Sequence, residues 1–227
     1  LLSICTASKA ELRVWTFAGG KSVEAEFQAL VGKNVSLKSL DGKSVKIPVD
    51  QFSPEDLSYI DLQVPPKLDL DFSRSTEQRV FPDSLSDLPR SIYYDFKAII
   101  EQRSTRQYNH ELIAELFVYA EEIDGDKHIL LDYQKVPFQL TQGSKSVVEI
   151  KGNRAELIDY VVAGQRRGDT FGGYILVVTD SRGEVLAYST SSEELYGFVD
   201  NLRQVPVKKH FDDEGNRCFP TPPKRMY

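Results

Sequence analysis

The residue types able to do acid–base, nucleophilic or metal chemistry are thinly spread in this chain. Its three histidines, His110, His128 and His210, stand far apart with no partner at metal-ligand spacing, whereas zinc sites draw Cys and His from short regular spacings. Asp124-Gly125-Asp126 and Asp212-Asp213-Glu214-Gly215 offer carboxylates. Neither has the alternating ligands of a calcium loop, and both read as acidic turns. Glu149, Glu156, Asp159, Asp180 and Glu184 could in principle supply the acid and base of a glycosidase-like hydrolysis, but nothing in the linear order brings any two together. There is no G-x-S-x-G elbow. Gly168-Asp169-Thr170-Phe171-Gly172-Gly173 precedes a strand instead of the helix a phosphate cradle requires, so it reads as a flexible turn carrying a chance Arg167-Gly168-Asp169 adhesion tripeptide. These residues imply no catalytic group, no metal and no cofactor. The competing class is a hydrolase with a carboxylate site in a second domain, residues 68–204.

The elements that would position any site must come from 227 residues, 41% apolar and 11% aromatic, enough for one large domain or two small ones. Lys+Arg 28 against Asp+Glu 34 gives a formal charge of -6. A net negative surface repels phosphate backbones, and no basic patch compensates, so a general nucleic-acid binder is disfavoured. Leu1-Leu2-Ser3-Ile4-Cys5-Thr6-Ala7 followed by Ser8-Lys9-Ala10 resembles the tail of a secretory signal peptide cut after Ala10, which implies a secreted, periplasmic or envelope protein. Lipid attachment at Cys5 is disfavoured by the bulky Ile4 before it. Cleavage would leave Cys218 as the one cysteine, a free, semi-buried thiol. No other segment approaches the ~20 apolar residues of a membrane span.

Residues 11–62 are dense with short-strand signals. Leu12 to Phe17 alternates, Gly19-Gly20 turns, and Ser22 to Leu30 places Val23, Ala25, Phe27 and Ala29 on one face. Val35, Leu37 and Ser39 continue the period of two. Asp41-Gly42 is a hairpin signal, because both residue types tolerate positive φ, and Val45-Lys46-Ile47 forms a fourth strand closed by Pro48. Ser53 is then the N-cap of a helical turn with Pro54 at its first position, Glu55-Asp56 at its positive end and Phe52 placed to staple against Leu57. Strands of this length with one terminal turn make a small SH3-like barrel.

Arg13-Val14-Trp15-Thr16, Glu24-Ala25-Glu26-Phe27, Val35-Ser36-Leu37-Lys38, Asp41-Gly42-Lys43, Ile47-Pro48-Val49 and Phe52 to Ile60 occur in an order and spacing that resembles the SLA1 homology domain 1 (SHD1) family. The resemblance covers about residues 11–62. It implies a non-enzymatic SH3-like module, which in a fungal endocytic member binds short Asn-Pro-Phe-x-Asp peptides, and which in bacterial chains often follows a signal peptide. The basic side chain used at the fungal site falls near Ser39 here, with Lys38 and Lys43 as imperfect substitutes. Six bases and three acids lie between Arg13 and Lys46, whereas Asp50 to Asp61 carries four acids and no base. Such lopsided charge steers acidic peptides, although strand lysines also guard edges against aggregation.

Gln63-Val64-Pro65-Pro66-Lys67 reads as a stiff linker. Residues 68–204 again read as β, with strands at Tyr94 to Gln102, Glu111 to Ala120, Lys127 to Val136 and Val147 to Lys151, and a hairpin from Tyr174 to Thr190 around Asp180-Ser181-Arg182-Gly183. Ala155 to Val162 fits strand or helix. Ser191 to Arg203 reads as one closing helix, and residues 205–227 as a loosely ordered tail. The fold expected is mostly β: a small SH3-like barrel, then a larger antiparallel β-sandwich-like domain with a C-terminal helix. The function expected is adaptor-like binding of a protein or short peptide, with Trp15 and Phe27 packing and Lys38 and Lys43 making electrostatic contact. A purely structural envelope protein is the remaining alternative.

Overall fold

The computed structural model describes residues 12–78, 89–103, 108–141, 146–162 and 164–222. The expected signal-peptide remnant, residues 1–10, lies outside them. The chain divides into two compact units, one formed by residues up to Pro66 with a short return ending at His110, the other by the remainder.

The first unit is an antiparallel sheet of β1 (Leu12–Thr16), β2 (Ser22–Val31), β3 (Asn34–Ser39) and β4 (Ser44–Pro48) in sequential order. Its ends are drawn toward closure by a 3-10 turn, Val49–Gln51: Ala18 N–H donates to Gln51 C=O at 2.9 Å and Ser53 N–H to Thr16 C=O at 2.9 Å. Helix α1 (Pro54–Gln63) follows, capped by the Ser53 side chain, which accepts from the Asp56 N–H. Gln63, expected in the linker, is its last residue. The core joins Trp15, Ala25, Val35, Leu37, Phe52 and Ile60. Strict alternation along β2 fails at one place. A bulge between Phe27 and Ala29 shifts the register, so Leu30 packs on the core while Ala29 pairs with Ser36. The Asp41-Gly42 turn is also not the two-residue type. Ser39 N–H bonds to Lys43 C=O and Gly42 N–H to Ser39 C=O, and only Gly42 takes a positive φ, 81°, which is the three-residue loop ending in a glycine bulge.

The second unit contains β5 (Leu68–Gln78), β6 (Arg90–Gln102), β7 (Leu112–Glu122), β8 (His128–Phe138), β9 (Val147–Lys151), β10 (Ala155–Val162), β11 (Gln165–Asp180), β12 (Val185–Thr190), α2 (Glu193–Tyr196), α3 (Val199–Leu202) and β13 (His210–Phe211). The sheet order is β13-β8-β7-β11-β10-β6-β5, with β12 on β11 and β9 on β6. Strand β11 joins the two halves, because Gln165–Gly168 pair with β10 whereas Asp169–Asp180 pair with β7. The stretch read as a flexible turn, Gly168 to Gly173, is therefore strand, and its Arg-Gly-Asp triplet is not loop-borne. Facing aromatic side chains tie the halves together, with Phe72 stacked on Tyr174 at 4.1 Å and Phe96 and Tyr94 against Phe171. Strand β7 is buried almost throughout. One of its faces is covered by Leu195, Leu202, Val205 and Phe211.

That cover corrects two expectations. The closing helix is two four-residue helices interrupted at Gly197-Phe198, where glycine is a poor helix former. The described part of the tail, residues 205–222, is not loose: Val205 and Phe211 are buried, and β13 pairs with β8, because the apolar face of β7, β8 and β11 needs covering and this segment supplies the side chains.

Candidate functional site

The residues that make the first unit recognisable are mostly its clasp. Asp56, 2% exposed, accepts from Arg13 Nε at 3.1 Å, from the Thr16 N–H at 2.7 Å and from Ser53 Oγ at 3.0 Å. The Arg13 guanidinium also lies 4.5 Å from the centre of the Tyr59 ring. One carboxylate thus fastens β1 to the start of α1. Trp15 has no exposed surface; its ring meets Phe52 and Tyr59 edge-on at 5.6 Å, and its indole N–H donates to the Ala25 C=O at 2.9 Å. With its surface buried and its one donor used, Trp15 packs within the core and presents no surface to a ligand.

An apolar pocket opens beside this core. Phe17, Val23, Ala25, Leu37, Ser39, Val45 and Ile47 line a cavity of about 160 Å³. These residues come from the position just after β1 and from the inward-facing positions of β2, β3 and β4, which the register places side by side: Ala25 opposite Ser39, Leu37 opposite Val45, and Val35 opposite Ile47. A cavity of about 150 Å³ lined by Leu, Ile and Phe is large enough to bind benzene. Val45 is 48% exposed, so the pocket has an open rim. Turns holding one lysine each adjoin it. Phe17 N–H bonds to Lys21 C=O, and Ser39 N–H to Lys43 C=O.

The four side chains named from sequence do not converge. Phe27 is half-buried against the Trp15 ring, centroids 6.3 Å apart. Lys38 stands opposite Glu26 and Ser44, on the sheet face away from Leu37 and Ser39, since neighbouring strand residues point to opposite faces. Lys43 sits in the turn, 3.1 Å from Asp41. Asp41 is held below the ordinary carboxylate range first by the hydrogen bond from Ser39 and then by Lys43. The sequence reading missed Phe17, Val23, Val45 and Ile47 as a group. The period-two pattern put each on a strand or at its end, but a pocket depends on how far the sheet fails to close over them.

The carboxylates of the second unit have structural work. Asp180 is buried and accepts from Arg182 Nε at 2.8 Å and from the N–H groups of Arg182 and Glu184. The turn therefore does bring Asp180 and Glu184 together, both on Arg182, as a hairpin clasp. Asp159 is paired with Arg166 through both oxygens, at 2.9 and 3.0 Å, and Glu149 lies 3.8 Å from Lys97. Glu156 is exposed on β10. His128 and His210 come onto adjacent strands, but each meets its own carboxylate, Asp213 at 3.0 Å and Glu122 at 3.4 Å. His110 lies in the first unit, its Nε2 3.0 Å from the Ser58 C=O. Among the described residues no group of three or more His, Cys, Asp or Glu is placed to hold a metal ion, and no helix is long and apolar enough to cross a membrane.

Comparison with known proteins agrees with this geometry in one segment. Residues 5–66 match the model of the SLA1 homology domain 1 family, SHD1. That segment is similar to a family of binding domains. No curated protein matches the chain. A crystal structure from Akkermansia muciniphila aligns over 57% of this chain and 71% of its own, at 15% identity and a TM-score of 0.29, a likeness too loose to assign a fold.

Proposed function

We propose that this protein is a non-catalytic binding protein whose N-terminal barrel takes up an apolar side chain of a partner protein or peptide. The observation that carries the reading is the open apolar pocket, ringed by inward-facing residues of three strands and bordered by lysine-bearing turns. A pocket of this size accommodates one large apolar side chain, which provides an anchor. The lysines favour acidic neighbours in the ligand. Export to the cell envelope or exterior belongs to the same reading, resting on the pattern of residues 1–10, and mass spectrometry of the mature N-terminus tests it.

Binding is tested with the full chain on an array of octapeptides bearing one Phe, Tyr, Trp, Leu or Ile among Thr, Val and Asp. Wild type is expected to retain a subset, and Val45→Asp, a change at a half-exposed rim position, to lose that subset at least tenfold. Equal retention by wild type and Val45→Asp would remove the pocket from the reading.

A further inference from the structure

Among the described residues the outward backbone groups of Ser44 and Lys46 beside the pocket have no hydrogen-bond partner, and this deepens the binding reading, on which it rests. Strand β4 is the last in its sheet. The bonds from Ser39 N–H to Lys43 C=O at one end and from Val49 N–H to Lys33 C=O at the other, both 2.9 Å, fix which residues of this strand face β3. Antiparallel pairing alternates, so a residue bonding to its neighbour turns both N–H and C=O toward it and the next turns both away. With Lys43 and Val49 bonded inward, Val45 and Ile47, opposite Leu37 and Val35, are bonded inward as well. Ser44 and Lys46 therefore direct their N–H and C=O groups to the open edge, up to Pro48, which has no N–H.

The pocket and this edge are contiguous, since Val45 and Ile47 line the one and belong to the strand that presents the other. The charge near the edge is mainly positive. From Lys33 to Pro48 there are four lysines and one acid, Asp41, and that acid is paired with Lys43. We infer that the barrel recognises its partner by strand addition. An extended segment of another protein pairs with β4 through Ser44 and Lys46, inserts one apolar side chain between Val45, Ile47 and Phe17, and carries carboxylates that meet Lys43 and Lys46. Main-chain bonds supply affinity in this mode, and the pocket supplies selectivity at alternate side chains.

The test uses the octapeptide retained best by wild type and the same peptide N-methylated at alternate residues, in both phases, with fluorescence anisotropy on the full chain. Methylation removes donors without changing side chains. In the phase that faces β4 it is expected to weaken binding roughly tenfold, as for one to two lost hydrogen bonds, and in the other phase to leave it within twofold. Equal binding of both methylated forms would overturn strand addition while leaving the pocket reading intact. Retention of no octapeptide by wild type would overturn both. A concentration-dependent dimer in ultracentrifugation, unaffected by saturating parent peptide and lost on Lys46→Pro, would assign the edge to a second copy of this chain and likewise overturn the proposal.

Discussion

The clasp that positions the pocket makes the sharpest prediction, because Asp56 gathers in one buried carboxylate the contacts that close the barrel. In Asp56→Ala, β1 loses the bond to the Thr16 N–H at 2.7 Å and the Arg13 contacts at 3.0 and 3.1 Å, and α1 loses a partner for Ser53. Hydrogen bonds to a buried charge are worth about 1.5–3 kcal/mol each. The Arg13 share is discounted because its side chain is 34% exposed and water screens it. Thr16 is exposed enough for solvent to repair part of its loss. The net cost is about 3 kcal/mol, comparable with the whole stability of so small a core, roughly 3–5 kcal/mol.

The assay is urea denaturation of the full chain followed by tryptophan emission. Trp15 is the chain's one tryptophan and is completely buried in the barrel core, so its emission reports this unit and not the second. With a slope near ~1 kcal/mol per molar for a domain this small, the midpoint is expected to fall by about 3 M, leaving Asp56→Ala with red-shifted emission in buffer alone. Asp56→Asn, which can still accept from Thr16, is expected to fall between that variant and wild type. A native emission spectrum and a midpoint shift under about 0.5 M for Asp56→Ala would refute the clasp.

In the second unit, Glu115 on β7 is buried and held by Arg203 at 2.6 and 3.0 Å and by the Tyr133 hydroxyl at 2.7 Å. Arg203→Ala leaves that charge with only the Tyr133 hydroxyl and Lys135 at 3.7 Å and is expected to cost about 3 kcal/mol in a urea midpoint read by far-UV circular dichroism. Burial opposes the charge of Glu115, but the bonds from Arg203 and Tyr133 outweigh it and hold the carboxyl below its ordinary value. Its contribution is therefore complete above the unfolded glutamate range of about 4.3 and lost as pH falls through the lower folded value, so wild type should lose stability more steeply below pH 4 than Glu115→Gln. Gly168→Ala places a methyl 1.8 Å from the Ile158 C=O at a φ of 114°, and a thermal melt should fall by roughly 6–12 °C, as expected for about 3 kcal/mol in a unit of this size. Lys38→Glu combined with Lys43→Glu alters only exposed positions; the Trp15-detected midpoint should move by less than about 0.5 kcal/mol, while the salt dependence of acidic-peptide binding weakens.

Much of the barrel was legible because its signals are local. Alternation along β2 to β4, glycine after Asp41 and a serine before Pro54 each act within a few residues, and each produced a strand, turn or cap, although β2 bulges after Phe27 and the turn at Asp41-Gly42 is the three-residue type. Strand β5 was missed because its alternation stops at Phe72 and continues as Ser, Arg, Ser, Thr, Glu and Gln, carried into the sheet by its ladder with β6. The tail was misread because its Pro, Lys and Arg content suggested solvation, whereas two of its apolar residues complete a core made elsewhere. Charge patterning did not reveal that Lys38 lies on the face away from the pocket.

The amino-acid order by itself determined the short strands, the cap of α1 and the family likeness of the first segment, since those depend on backbone preferences of neighbouring residues. Only the tertiary structure decided that Arg13 and Asp56, 43 positions apart, share one buried clasp, that Trp15 is sealed beneath it, and that Phe17, Val45 and Ile47 surround an opening. Those outcomes follow from which faces meet and how completely a sheet closes, and both are set by packing between residues distant in the chain.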